Sequence, residues 1–137
     1  MIPLLLDTGA LVLFAEGEDM SVEAAKALDQ AAEEGTPVFV SPVSGWEIGF
    51  LAASDRLTMS MDPAAWFDKL ASIPGVGLAE ISVRVLIASS TLPGSPPRDL
   101  VDRILVATAR ENGYRLVTRD KGLLAYAEQG HVPALGC

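Results

Sequence analysis

Five acids in this 137-residue chain stand where carboxylates can meet. Asp7 closes the apolar run 2–6, and Asp120 follows the short apolar run 114–118. Both positions lie just past the carboxyl ends of strand-like segments, where open α/β sheets gather their ligands. Asp99 and Asp102 are three residues apart at the start of a helical stretch, a spacing that puts them on one helix face. Glu47 lies between Trp46 and Ile48 in an otherwise apolar helical segment. Two carboxylates about 4 Å apart repel by roughly 4 kcal/mol at an effective dielectric near 20. Asp7, Glu47, Asp102 and Asp120 in one crevice would therefore need protons or a divalent cation. An oxygen-only donor set favours Mg²⁺ or Mn²⁺ over zinc. Each acid taken singly also has a plainer role. Asp7 and Asp120 suit helix N-caps, Asp102 a first-turn acid, and Glu47 an exposed helix face.

The elements that must carry these acids are legible from periodicity and punctuation. Residues 2–6 read as a strand buried on both faces. Residues 10–15 follow as a short helix, and Ser21 caps a second helix that stops at Gly35. Residues 37–40 form the next strand, and Ser41-Pro42 opens a helix over roughly 43–53. Asp62-Pro63 starts another helix through Ala71. Residues 76–81 read as a strand, and Ser82 caps a helix to about residue 90. The Pro/Gly-rich stretch 91–97 is a loop feeding the Asp99 helix, whose Leu100, Val101, Ile104, Leu105 and Ala107 face a core. Asn112-Gly113 ends that helix. Residues 122–128 form the last helix, and 131–135 an edge strand tolerant of Pro133. His131 reads as a surface residue. Alternating strands and helices give one α/β domain over 1–137, with a central, mostly parallel sheet of four to five strands flanked by helices.

Composition narrows the partners. A net charge of −8 excludes a simple basic nucleic-acid surface. The charge is uneven, since residues 1–97 carry 4 basic and 13 acidic side chains, whereas 98–121 carry 6 basic and 4 acidic ones. A polyanion would be tolerated beside the second segment and repelled elsewhere. The one cysteine, Cys137, cannot pair within the chain, which fits a reducing cytoplasm. The apolar start is broken by Asp7 and lacks a basic leader, so neither a signal peptide nor a membrane helix is expected.

Two resemblances follow from these residues. Asp7-Thr8-Gly9 is similar to the active-site triplet of retroviral-type aspartic proteases, but that fold is all-β. The pieces LLLDTGAL, SPVSGWEIGFLAASDRL, RDLVDRILVATA and LVTRDKGL, in this order over nearly the whole chain, resemble PIN-domain nucleases, and among them VapC-type ribonuclease toxins. That resemblance implies a PIN-like fold and an acidic quartet of Asp7, Glu47, Asp102 and Asp120 around Mg²⁺, with Mn²⁺ as the alternative. It implies hydrolysis of RNA phosphodiesters, with Asp7, Asp102 and Asp120 on the metal and Glu47 positioning water. Asp99 would be accessory, Thr8 and Thr118 would orient carboxylates, and Arg103 would steer a phosphate or pair with a neighbouring acid. Pro97 stands where many relatives carry His. The resemblance further implies a VapB-type antitoxin whose tail lies in an apolar groove, lined by Trp46, Phe50 and Leu51 or by Trp66 and Phe67, and a homodimer. The rival from another class is a PIN-fold module without catalysis that docks a partner peptide on the same acids.

Overall fold

The computed structural model describes residues 1–137, the whole chain. Its centre is β1 (Leu4–Leu6), followed by α1 (Thr8–Glu16), α2 (Val22–Glu34), β2 (Val38–Val40), α3 (Pro42–Ala53) and α4 (Pro63–Ala71). The chain continues through β3 (Val76–Leu78), α5 (Val83–Ala88), α6 (Leu100–Asn112), β4 (Arg115–Thr118), α7 (Lys121–Glu128) and β5 (Ala134–Gly136). The strands form one sheet in the order β3-β2-β1-β4-β5, and every pairing is parallel. All five strands therefore end on the same edge, and β1 lies in the middle with neighbours on both sides.

The run of leucines at β1 is explained by that position. Leu5 packs with Val101, Leu105, Leu116 and Tyr126 on one side, while Leu4 and Leu6 pack with Leu11, Val40, Ile48 and Val117 on the other. A strand covered on both faces has no polar side to present. Register places Leu5 beside Phe39 of β2 and Leu116 of β4.

Most helix starts fall where capping residues predict them. Ser21, Ser41, Asp62 and Ser82 each accept a hydrogen bond from a backbone N–H of the first turn, satisfying donors that have no partner within the helix. Several boundaries differ from the sequence reading. The first helix begins at Thr8, because Asp7 caps it directly. The third strand ends at Leu78, after which Ala79 N–H still bonds Val40 O at 2.8 Å before Ser82 turns the chain. The last strand begins only at Ala134. His131 is drawn inward instead, its ring 4.7 Å from that of Tyr126 and close over Gly94, while Arg110 donates to its carbonyl. It is half-buried, not a surface residue as the sequence suggested. Gly94 has a φ of +67°, and a side chain there would collide with the imidazole. No helix is long and apolar enough to cross a membrane.

Candidate active site

The site grows from the carboxyl edge of β1 and β4. Asp7 leaves β1 with its backbone N–H bonded to Val117 O at 3.0 Å, and its side chain turns back to cap α1. One carboxylate oxygen accepts from Ala10 N at 2.8 Å and the other from the hydroxyl of Thr118. Asp7 is 6% exposed, and Thr118 is fully buried. Burial pushes the Asp7 carboxyl above the ordinary range, the two hydrogen bonds oppose that rise, and the charge of Asp120 adds to it. Burial prevails because the charged form has lost most of its water.

Thr118 serves two acids. Its hydroxyl donates to Asp7 and accepts from the backbone N–H of Asp120 at 2.9 Å. Asp120 is exposed and caps α7, with one carboxylate oxygen accepting from Gly122 N at 2.7 Å and Leu123 N at 3.4 Å. Asp99 caps α6 in the same manner, accepting from Asp102 N at 3.0 Å. Asp99 therefore lies one step outside the helix and not in its first turn, but it stays beside Asp102 and fixes the start of α6.

Asp102 is where the acids meet electrostatically. Its pKa is raised from 3.8 to about 7, first by burial and then by the charges of Asp99, Asp120, Asp7 and Glu47. Residues distant in sequence thus act on one half-buried carboxyl, and no cation of the chain figures among the causes. Glu47, half-buried on α3, faces this group from a separate helix. As the side chains stand, no three of them close on a single ion. Asp7, Asp99 and Asp120 are each drawn back onto a helix N-terminus by their capping bonds. The donor set still suits a hard divalent cation. It consists of carboxylate oxygens only, Asp120 keeps its second oxygen free of those caps, and only acids figure among the charges acting on Asp102.

Two expected partners take other positions. Thr8 does not orient a carboxylate, because its hydroxyl donates to Ser44 Oγ at 2.9 Å. Ser44 is fully buried, one helical turn before Glu47, and ties α3 to the start of α1. The sequence reading passed over it, although a serine three residues ahead of the acid in an apolar helix was a usable signal. Arg103 makes no ion pair with a neighbouring acid. Its guanidinium donates to the carbonyls of Ser89 at 2.9 Å, Pro97 at 3.1 Å and Ser90 at 3.4 Å, holding the loop before α6 in place. The protease-like triplet sits at a strand-to-helix junction in an all-parallel sheet, which is not the all-β frame that reading required.

The aromatic residues divide between surface and interior. Trp46 and Phe50 are 52% and 62% exposed and meet edge to face at 5.5 Å. Phe67 packs close over Gly45. Trp66 borders a cavity of about 420 Å³ together with Val12, Leu57 and Met59.

Comparison with known proteins agrees with this architecture. Residues 4–129 match the family model described as the PIN domain. The chain is 33% identical over 112 residues to Ribonuclease VapC22 of Mycobacterium tuberculosis, covering 82% of each. Among solved structures it resembles VapBC2 from Rickettsia felis bound to a DNA fragment from the promoter (TM-score 0.69, 11% identity, 99% of both chains covered). It also resembles DNA-bound VapBC from Salmonella typhimurium (TM-score 0.62, 12% identity, 99% and 98% covered). A toxin–antitoxin complex from Klebsiella pneumoniae shares the fold as well (TM-score 0.55, 21% identity, 88% and 89% covered).

Proposed function

Since the chain belongs to the PIN-domain family, we propose that it is a divalent-metal-dependent endoribonuclease, the toxin of a toxin–antitoxin pair. The observation that carries this reading is that the charges of Asp99, Asp120, Asp7 and Glu47 all bear on the half-buried Asp102, with no cation among the charges acting on it. The name of the mycobacterial relative supports ribonuclease activity, and the printed description of the Klebsiella complex supports an antitoxin partner.

Asp7, Asp102 and Asp120 would hold Mg²⁺, or Mn²⁺ in its place, with Glu47 orienting the attacking water from α3. An ion there would supply Lewis-acid activation of water and neutralise charge at the leaving 3′ oxygen. The chain's own contribution is positioning. Thr118 and Ala10 N–H fix both oxygens of Asp7, and Thr118 sets the backbone from which Asp120 projects. Thr8–Ser44 holds the helix of Glu47 against the start of α1. Asp102 takes up a proton near neutrality when its charge is unopposed, so cation binding and proton release are linked there.

Two assemblies complete the reading. An antitoxin tail would lie in the groove beside α1 and α4, with Trp66 as its apolar wall. A homodimer would cover Val83, Leu86 and Ile87 of α5 and Leu100 of α6, four exposed apolar side chains on helices that pack together.

The test is cleavage of RNA by purified protein in Mg²⁺ and in EDTA, alongside Asp7→Asn and Asp102→Asn. Cleavage by the wild type in Mg²⁺ alone, and by neither folded variant, is expected. Cleavage that persists in EDTA or in both variants would overturn the proposal.

A further inference from the structure

Of the six basic residues in 98–121, four are committed to main-chain carbonyls. Arg103 holds Ser89, Ser90 and Pro97, Arg110 holds His131, Arg115 reaches Ala134, and Arg119 holds Asp19 at 2.8 Å. Each gives at least one guanidinium donor to the main chain and ties its element to a neighbouring segment. Arg98 and Lys121 remain. Both are exposed, and the two ion pairs of the structure, Met1–Glu34 and Arg84–Glu111, involve neither.

Their placement is specific. Arg98 directly precedes Asp99, the cap of α6, and Lys121 directly follows Asp120, the cap of α7. Both cap acids act on Asp102. Each free cation is thus one residue from an acid of the site, on a different helix start. A polyanion approaching these carboxylates in a chain of net charge −8 meets repulsion unless local cations offset it. An arginine fork matches two phosphate oxygens at once, and a lysine supplies a mobile point charge.

We propose that Arg98 and Lys121 grip RNA phosphates flanking the scissile bond, as positioning residues that draw the strand across the acids. This rests on the ribonuclease reading above. Arg103, the arginine the sequence pointed to, is excluded by its three carbonyl bonds.

The experiment measures binding of a short fluorescein-labelled single-stranded RNA to the Asp102→Asn protein in Mg²⁺, as a function of KCl. Each phosphate contact contributes about 0.7 to the slope of log affinity against log salt for single strands. Adding Arg98→Gln or Lys121→Gln should lower the slope by about that amount each. Arg98→Lys and Lys121→Arg should restore it, and Arg84→Gln should leave it unchanged. Slopes equal to the parent in both Gln variants would overturn the proposal while RNA cleavage by the wild type left the ribonuclease reading intact. A parent that neither binds RNA nor, as wild type, cleaves it would overturn both.

Discussion

Replacing Asp102 by Asn should stabilise the protein in the absence of divalent metal, and more so at alkaline than at acidic pH. Asn keeps the backbone N–H that Asp99 accepts from and removes only the charge. The carboxyl has a pKa of about 7 in the folded chain against an ordinary 3.8. Between those values the folded protein holds a proton that the unfolded chain has released. Stability therefore falls as pH rises through this window and levels off above it. An uncompensated rise of this size corresponds to roughly 4 kcal/mol, but the group is only half-buried, and solvent screening reduces the expected effect to about 1–2 kcal/mol. A change of 1 kcal/mol moves the melting temperature of a chain this long by about 3–5 °C. Scanning calorimetry in EDTA should thus find the variant melting several degrees higher at pH 8.5, with a smaller gap at pH 5.5. Mg²⁺ should then close the gap by stabilising the wild type alone. A variant that melts lower than the wild type at pH 8.5 in EDTA, or a gap independent of pH, would refute the reasoning.

Thr118→Val keeps the shape of a fully buried side chain but leaves an Asp7 oxygen and the Asp120 N–H without their partner. It should cost about 1–3 kcal/mol in urea denaturation and reduce RNA cleavage, and a variant as stable as the wild type would contradict the shared-hydroxyl account. Arg103→Met should lower stability by about 1.5–3 kcal/mol through its lost carbonyl bonds while leaving the salt dependence of RNA binding unchanged; a changed salt slope at full stability would return it to the phosphate role. Gly77→Ala brings a methyl to 2.9 Å from the ring of Phe39, which is itself stacked on Tyr114 at 4.6 Å. Overpacking there should cost about 1–3 kcal/mol, and a neutral result in thermal melts would show that the ring gives way.

Local chemistry made most of the frame readable. Ser21, Ser41, Asp62 and Ser82 cap because each precedes an apolar-periodic run, and the leucines of β1 announce a strand covered on both faces. The acids were legible as candidates because Asp7 and Asp120 follow strands and Asp102 opens a helix. What the chain order hid was partnership at a distance. Arg103 beside acids in sequence looks like half of an ion pair, yet its fork reaches carbonyls up to 14 residues upstream. Thr8 and Ser44 meet across 36 residues, a pairing that no period reveals. Asp99 was misplaced by one position because an N-cap and a first-turn residue share the same amino-acid preference. The start of β5 was read early because His131 and Val132 look strand-like, whereas Tyr126 and Arg110 hold that stretch outside the sheet.

On the proposed function, the carboxylates of Asp7 after β1, Glu47 on α3, Asp102 on α6 and Asp120 before α7 act together on one divalent cation. Anomalous diffraction from crystals soaked in Mn²⁺ tests it most directly. An anomalous peak is expected within bonding distance of the Asp7 and Asp102 carboxylates, absent from Asp102→Asn crystals. A fully active protein whose Mn²⁺ sites touch neither residue would contradict it.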